Sequence, residues 1–403
     1  MFLSFFDFLE LDEAVNKHST HIADSFIMNG QSIVPEVLNS LQDIVQKLKS
    51  RKAPNITVKV DGAPALFVGY INNKFFVASK GIFNKEPKIN FSNEDLDRNH
   101  SGGLGETMKY FLKYLNGIVP NDGKVYQGDV LYTSSSLMKK QIDGCPSYCW
   151  QPNTILYSVP EDSPLGQQIS SSKCGICFHT RYSWDGSNPS TLNVVGFDVK
   201  KEMFKKTKDV VIMDPFLTNI DKEVYLSPDQ EAKLKKDIAT INSLYNKIDY
   251  AKIQHQNVQP LLMIYINSFY KGNTAGSAQE KARGFEPWVM SRMELEKGRL
   301  KTDKAKANVE KKYEFMKGTN WEKVLVPVFQ LHNALESAKM TVKSLLDRIS
   351  VSRNFLVRSD GSLVATGHEG YVITSGSPTG MKIVSRSEFS MANFSKDFLR
   401  GWD

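Results

Sequence analysis

No run of apolar residues in this chain approaches the length needed to cross a membrane. The opening stretch, Met1 to Asp7, is apolar, yet it lacks a basic lead and carries Asp7 and Glu10 early. It reads as a packed helix rather than a secretion signal. Cysteine is scarce, with four in 403 residues. That is too few for a disulfide scaffold, so a reducing compartment, the cytoplasm, is expected. No G-x-x-x-x-G-K-[ST] segment is present, which excludes a P-loop as the route to nucleotide binding. Internal repeats and low-complexity tracts are missing as well, excluding a solenoid or a disordered polar chain. What remains is a globular composition, 41% hydrophobic and 24% charged. The length calls for two or more structural units. The net charge of +7 suits a polyanionic partner.

The four cysteines fall in two close pairs, Cys145/Cys149 as C-x3-C and Cys174/Cys177 as C-x2-C. Two such pairs can hold a tetrahedral zinc. Gly175 to Phe178 also reads as a buried strand, in which a free cysteine behaves as a small hydrophobe. Both readings stay open on the sequence alone.

Residues 32–50 carry Ile33, Val37, Leu41, Ile44, Val45 and Leu48 at helical spacing. Upstream, Thr20 reads as the N-cap of a helix start that includes His21 and Asp24. Pro54 stops the 32–50 helix. Thr57-Val58-Lys59-Val60 then alternates with the period of a strand, and Asp61-Gly62 with Pro64 breaks it. A second strand restarts over Ala65 to Tyr70. Lys59 therefore sits at a strand end beside a tight turn, where a lysine can serve as a nucleophile if its amine is made available. The same four residues also describe an ordinary hairpin with a surface lysine. Further strands follow over Lys74–Lys80, Lys124–Tyr132 and Asn193–Val199. Ser101 to Glu106 opens an amphipathic helix running through Leu115.

Lys59-Val60-Asp61-Gly62 resembles the K-x-D-G nucleophile motif of the covalent nucleotidyltransferases, the superfamily of ATP-dependent DNA and RNA ligases and mRNA capping enzymes. Ser79-Lys80-Gly81 is similar to the next motif, with Lys80 for the usual arginine. Gly128-Asp129 resembles the third, with Asp129 for the usual glutamate, and Phe197-Asp198 the strand motif after it. Glu369-Gly370-Tyr371-Val372 matches E-G-x-V, and Lys382 begins the last motif, whose second lysine is replaced by Val384. All six stand in superfamily order. In a looser way the Lys59–Pro64 segment resembles a K-x-D-G-A-P core of tailed-phage proteins; a phage-encoded chain would work in the host cytoplasm.

The resemblance implies an α+β fold: an antiparallel-sheet nucleotidyltransferase core, ATP-grasp-like, with a large helical insertion. It would divide the chain into a helical lead at 1–50, a first core part at 51–206, a helical insert at 207–350 and a second core part at 351–403. It implies an ATP-dependent polynucleotide ligase, RNA slightly favoured over DNA, that joins 5′-phosphate and 3′-hydroxyl ends. A capping-type guanylyltransferase and a non-catalytic nucleic-acid-binding protein on the same fold are the alternatives. Lys59 would be the nucleophile, its pKa lowered by Lys382. Thr57, Asp61, Gly62, Lys80, Asp129, Phe197, Glu369, Lys382 and Arg386 would bind ATP. Phe197 would stack on adenine, and Arg386 would compensate for the missing second lysine. Asp129 and Glu369 would hold Mg²⁺, or Mn²⁺ in its place. The chain departs from DNA ligases at Pro64, where an arginine is usual, and at Thr57, where a glutamate is usual. Little sequence follows Lys382, so no C-terminal OB-fold is expected.

From about residue 207 the texture becomes helical, over Ser227–Ile248, Ser277–Met316 and Trp321–Ile349. Within it, Lys297, Arg299, Lys301, Lys304, Lys306, Lys311 and Lys312 form a basic stretch. It reads either as a solvated helix face or as a phosphate-contacting surface.

Overall fold

Alternating apolar residues build three sheets, and helix-spaced ones a separate layer. The protein is described by a computed structural model over residues 20–184, 186, 191–216, 223–272, 276–349, 353–376, 379–394 and 397–401. In chain order come α1 (Ser25–Asn29), α2 (Ile33–Lys49), β1 (Ile56–Lys59), β2 (Ala65–Ile71), β3 (Lys74–Ala78) and β4 (Ile89–Asn90). Next are α3 (Asn93–Asn99), α4 (Gly102–Leu115), β5 (Lys124–Thr133), β6 (Met138–Ile142), β7 (Cys145–Trp150) and β8 (Ile155–Pro160). Then follow α5 (Pro164–Ser171), β9 (Cys174–Ser183), β10 (Asn193–Gly196) and β11 (Val210–Ile212). The helical block holds α6 (Pro228–Leu244), α7 (Tyr250–Ile253), α8 (Gln259–Lys271), α9 (Ala278–Gly298), α10 (Asp303–Lys312) and α11 (Trp321–Leu346). The last elements are β12 (Arg353–Val357), β13 (Leu363–Thr366), β14 (Gly370–Ile373), β15 (Lys382–Val384) and α12 (Arg386–Phe394).

The α+β class expected from the sequence is the class observed. The large sheet runs β10-β9-β5-β2-β3-β4, with β11 alongside β9. A second runs β13-β12-β8-β7-β6, and a small third runs β1-β14-β15. Pairing is antiparallel except for β11 on β9.

The small sheet joins strands from distant parts of the chain. Thr57 pairs with Val372 and Lys59 with Gly370, while Val372 pairs with Lys382. Successive side chains on a strand face opposite ways. Ile56, Val58, Tyr371, Ile373 and Ile383 pack into one core with α2 and the helical block. Thr57, Lys59, Val372 and Lys382 face the other way. On the large sheet Leu66, Val68, Tyr126 and Val130 pack under Met108, Phe111 and Leu115 of α4.

Two helical expectations change. The stretch 277–316 is a hairpin, α9 then α10, because Gly298 ends the first helix and Thr302 caps the second, its hydroxyl accepting from Ala305 N at 3.3 Å. Thr20 is not a helix cap: its carbonyl accepts from Lys382 N at 2.8 Å, and His21 precedes the short 3₁₀ turn Ile22–Asp24. The expected helix at the very start of the chain lies outside the described residues.

Candidate functional site

A cavity of about 400 Å³ opens between the small sheet and the large one, within the usual size of small-molecule sites. The small sheet contributes Thr57, Lys59, Val372 and Lys382. The large sheet contributes Gln127 and Asp129 of β5 and Cys177, His179 and Tyr182 of β9. Along β5 the residues Val125, Gln127, Asp129 and Leu131 share a face. Its two ends are buried apolar, and its polar middle is where the cavity opens. Lys80, in the 3₁₀ turn Lys80–Phe83 after β3, and Phe197, just beyond β10, complete the wall.

Lys59 is 30% exposed at its side chain, on the cavity side, and donates a hydrogen bond to Glu369, which is 5% exposed. Burial works against charge on Lys59, but the Glu369 carboxylate outweighs it and holds the ammonium above the ordinary lysine range, with Asp129 and Asp61 adding to the effect. Burial also pushes the Glu369 carboxyl above the usual carboxylate range, against the pull of Lys59. This corrects the expectation that Lys382 depresses Lys59. The depressed cation is Lys382 itself: burial first, then the charge of Lys59, bring it down to about 8. Glu369 sides with Lys59 because it is the residue just before Gly370, the partner of Lys59 across β1 and β14.

Gly62 and Gly370 are fixed by close approach. A Cβ on Gly62 would stand 2.6 Å from Asp129 Cβ and 2.9 Å from Val130 O. One on Gly370 would stand 2.4 Å from Ile383 O and 2.7 Å from Val384 Cγ2. Each allows a neighbouring strand to bring a side chain, Asp129 or Lys382, up to the cavity.

Two residues expected to bind nucleotide are elsewhere. Asp61 is buried, and its carboxylate accepts from Asn153 Nδ2 (2.7 Å), Thr154 Oγ1 (2.9 Å), Thr154 N (3.0 Å) and Ile155 N (3.3 Å). Its own amide donates to Tyr157 OH at 2.6 Å. Asp61 therefore ties the turn after Lys59 to β8, where its carboxylate is fully engaged. Arg386 starts α12 and makes two bonds to Asp24, at 2.7 and 2.8 Å, with its guanidinium 4.1 Å from the Tyr270 ring centroid. The position of the missing second lysine is filled by Val384, packed over Gly370, so Arg386 does not compensate for it. The four cysteines are free, Cys145 and Cys149 on β7 and Cys174 and Cys177 on β9. Among the described residues no three His, Cys, Asp or Glu side chains gather as a metal site.

His179 is a cavity residue the sequence did not reveal. Gln127 pairs with Thr180 but Gly128 pairs with Phe178, which leaves His179 as the extra residue of a β-bulge. Bulges re-aim side chains. Here the bulge brings His179 Nε2 to 3.5 Å from Asp129 Oδ2, while Nδ1 lies 2.7 Å from Thr180 Oγ1. Gln127 is held too, its Oε1 accepting from Tyr182 OH at 2.6 Å. No sequence signal marks a bulge, since it depends on which strands pair.

Fold and cavity together define an α+β protein whose site lies between two largely antiparallel sheets and gathers three lysines, Asp129, the Lys59-bound Glu369 and the rings of Tyr182 and Phe197. By sequence the chain belongs to a family of unknown function, DUF6267, whose profile matches residues 16–397. No curated protein and no solved structure matches it. Among the described residues no helix is long and apolar enough to cross a membrane.

Proposed function

We propose that the chain is an ATP-dependent polynucleotide ligase of the covalent nucleotidyltransferase kind, working through a lysyl-AMP intermediate. The observation that carries this reading is the Lys59–Glu369 pair at the wall of a cavity that also presents Lys80, Lys382 and Phe197. A buried carboxylate of raised pKa beside a protonated amine is a ready proton acceptor. Once Glu369 takes the proton, the neutral Lys59 Nζ attacks the α-phosphorus of ATP. An N–P bond forms, the bond to the β-phosphate bridge breaks, and pyrophosphate leaves. The AMP then passes to a 5′-phosphate oxygen, freeing Lys59, and a 3′-hydroxyl displaces AMP to close the phosphodiester.

Charge neutralisation and positioning do most of the work in such transfers. Lys80 and Lys382 line the same cavity as Lys59 and would neutralise the phosphates, and Phe197 would offer a π-face to the base. Asp129 suits Mg²⁺, which takes one or two carboxylates and completes its shell with phosphate oxygens and water. Glu369, expected to share the ion, is bonded to Lys59 and takes its proton, which leaves Asp129 as the carboxylate that would hold it. When bound, the ion would supply further charge neutralisation at the phosphates.

The test is incubation with ATP or GTP labelled at the α-phosphate, followed by a denaturing gel. Label from ATP that disappears in Lys59→Ala supports the proposal. Label from GTP alone turns it toward a capping-type guanylyltransferase. No label from either nucleotide overturns a covalent mechanism.

A further inference from the structure

A second cavity, of about 630 Å³, lies between α5 and the segment 201–208. Lys201, Lys205, Lys206 and Lys208 line it, and Lys200 precedes them; all five are exposed. Glu202 is the single acid within 200–208. None of the five lysines is joined in an ion pair among the described residues. Lys200 lies instead over the Phe216 ring, at 5.6 Å from its centroid.

The segment that carries these charges is pinned. Phe204 is buried and stacks on Phe178 of β9 at 4.4 Å. Lys205 N donates to Ile118 O at 3.0 Å, and Lys173 N to Asp209 O at 2.7 Å. Exposed lysines without ion pairs, on a backbone held over an apolar floor (Phe204, Val210, Val211), can receive anionic charge at several points. The α9–α10 hairpin differs, because its charge is partly spent at home. Lys297 pairs with Glu294 and Glu310, and Lys312 pairs with Glu296.

The chain also connects the lysine cleft to the wall of the first cavity. β11 leaves the cleft alongside Cys174–Ile176 of β9, the strand that carries Cys177 and His179. Beyond it, Pro215 O accepts from Val58 N at 2.7 Å, and Phe216 bridges Thr57. From Lys208 to Pro215 is seven residues, so cleft and β1 are at most roughly 25 Å apart along an extended chain.

We infer that the lysine cleft at 200–208 binds the phosphodiester backbone of a polynucleotide. That this polynucleotide is the one whose end reaches Lys59 rests on the ligase reading; the binding itself does not. Backbone contacts by lysine release counterions, so each adds about 0.7 to 0.9 to the slope of log affinity against log salt.

The experiment uses the full chain and a 5′-phosphorylated oligonucleotide, with affinity read by fluorescence anisotropy across a potassium chloride series. The triple variant Lys205→Glu/Lys206→Glu/Lys208→Glu should lose at least tenfold in affinity at low salt and about 2 in slope. Lys301→Glu/Lys304→Glu should stay within about threefold of the parent. Labelling by ATP should be unchanged in the triple variant, which also reports that its nucleotide cavity is intact. A triple variant with parental affinity and slope overturns the inference. So does a loss confined to anionic phospholipid vesicles, measured in parallel. If the parent takes no label from ATP yet the triple variant loses oligonucleotide affinity, the cleft stands and the ligase reading falls.

Discussion

Two ion pairs flank the small sheet β1-β14-β15, one sealed and one partly open, and they have different characters. On the helical side Arg386 is held by Asp24 through two hydrogen bonds, with His332 Nε2 3.0 Å from the same carboxylate and Asn267 Oδ1 3.2 Å from the guanidinium. Burial alone would raise the pKa of Asp24, but Arg386 and His332 overturn that and hold it well below the usual carboxylate range. On the cavity side Lys59 has one carboxylate partner and an open flank. A planar guanidinium sealed among partners is a brace, whereas a lysine with a free side can part from its carboxylate. The lesson is that burial of an ion pair does not indicate its role; access to a cavity does.

The largest expected effect breaks the cavity-side pair. On the proposed mechanism Lys59→Ala removes the nucleophile itself, and covalent labelling should fall by at least about a thousandfold. Full labelling retained on the same peptide would move the nucleophile elsewhere. Glu369→Gln keeps the size of the side chain but cannot take a proton. Labelling should fall by about a hundredfold or more, with ATP affinity changing far less, as a single-turnover rate against ATP concentration would show. An unchanged rate would remove Glu369 from the proton path.

Breaking the sealed pair should affect stability instead. Asp24→Asn breaks the close pair and leaves buried Arg386 with only Glu336, 3.9 Å away, as counter-charge; breaking a buried pair typically costs about 3–5 kcal/mol. Urea unfolding at neutral pH measures this, and a loss under about 1 kcal/mol would contradict the brace. The sign with pH follows from the depressed folded pKa of Asp24. Its contribution is full above the unfolded value of about 4 and is lost only as pH falls through the folded value. The gap between parent and variant should therefore persist at mildly acidic pH and close only under strong acid.

The smallest effect is a pH profile that separates the two cavity lysines. In the proposed step Lys59 passes its proton to Glu369 within the pair, so the labelling rate at saturating ATP should change little through the neutral range. Lys382 loses its charge above about 8, so the KM for ATP should rise there. Lys382→Arg stays charged and should keep a flat KM over the same range. A parental KM that stays flat above that pH would detach Lys382 from ATP.

Much of the site's ingredient list was legible because it is local. Lys59, Lys80, Phe197 and Lys382 each sit at a strand end or turn, and Asp129 follows a glycine in mid-strand, all readable from alternation and glycine, and the fold brings all five to one cavity. What could not be read depends on pairing across the sheets. His179 reaches the cavity through a bulge defined by its neighbours on β5. Asp61 looks like its motif in the chain but is spent on β8. Arg386 was assigned by counting along a strand, and the strand ends at Val384. The helical block was legible as texture, but α8 was not read, and the hairpin at 299–302 was missed because its turn is rich in the same charged residues as its helices.

Lys59 and Glu369 are 310 residues apart in the chain, and the sheet that holds them cannot form until β14 and β15 exist. During synthesis at about 5–20 residues per second, that separation corresponds to roughly 15–60 s between the two partners leaving the ribosome. The large sheet's β2, β3 and β5 can pair long before then, while β1 waits for its neighbour. A chain interrupted anywhere in the helical block would thus carry the whole K-x-D-G segment and no assembled cavity, which can form only after Lys382 has been made.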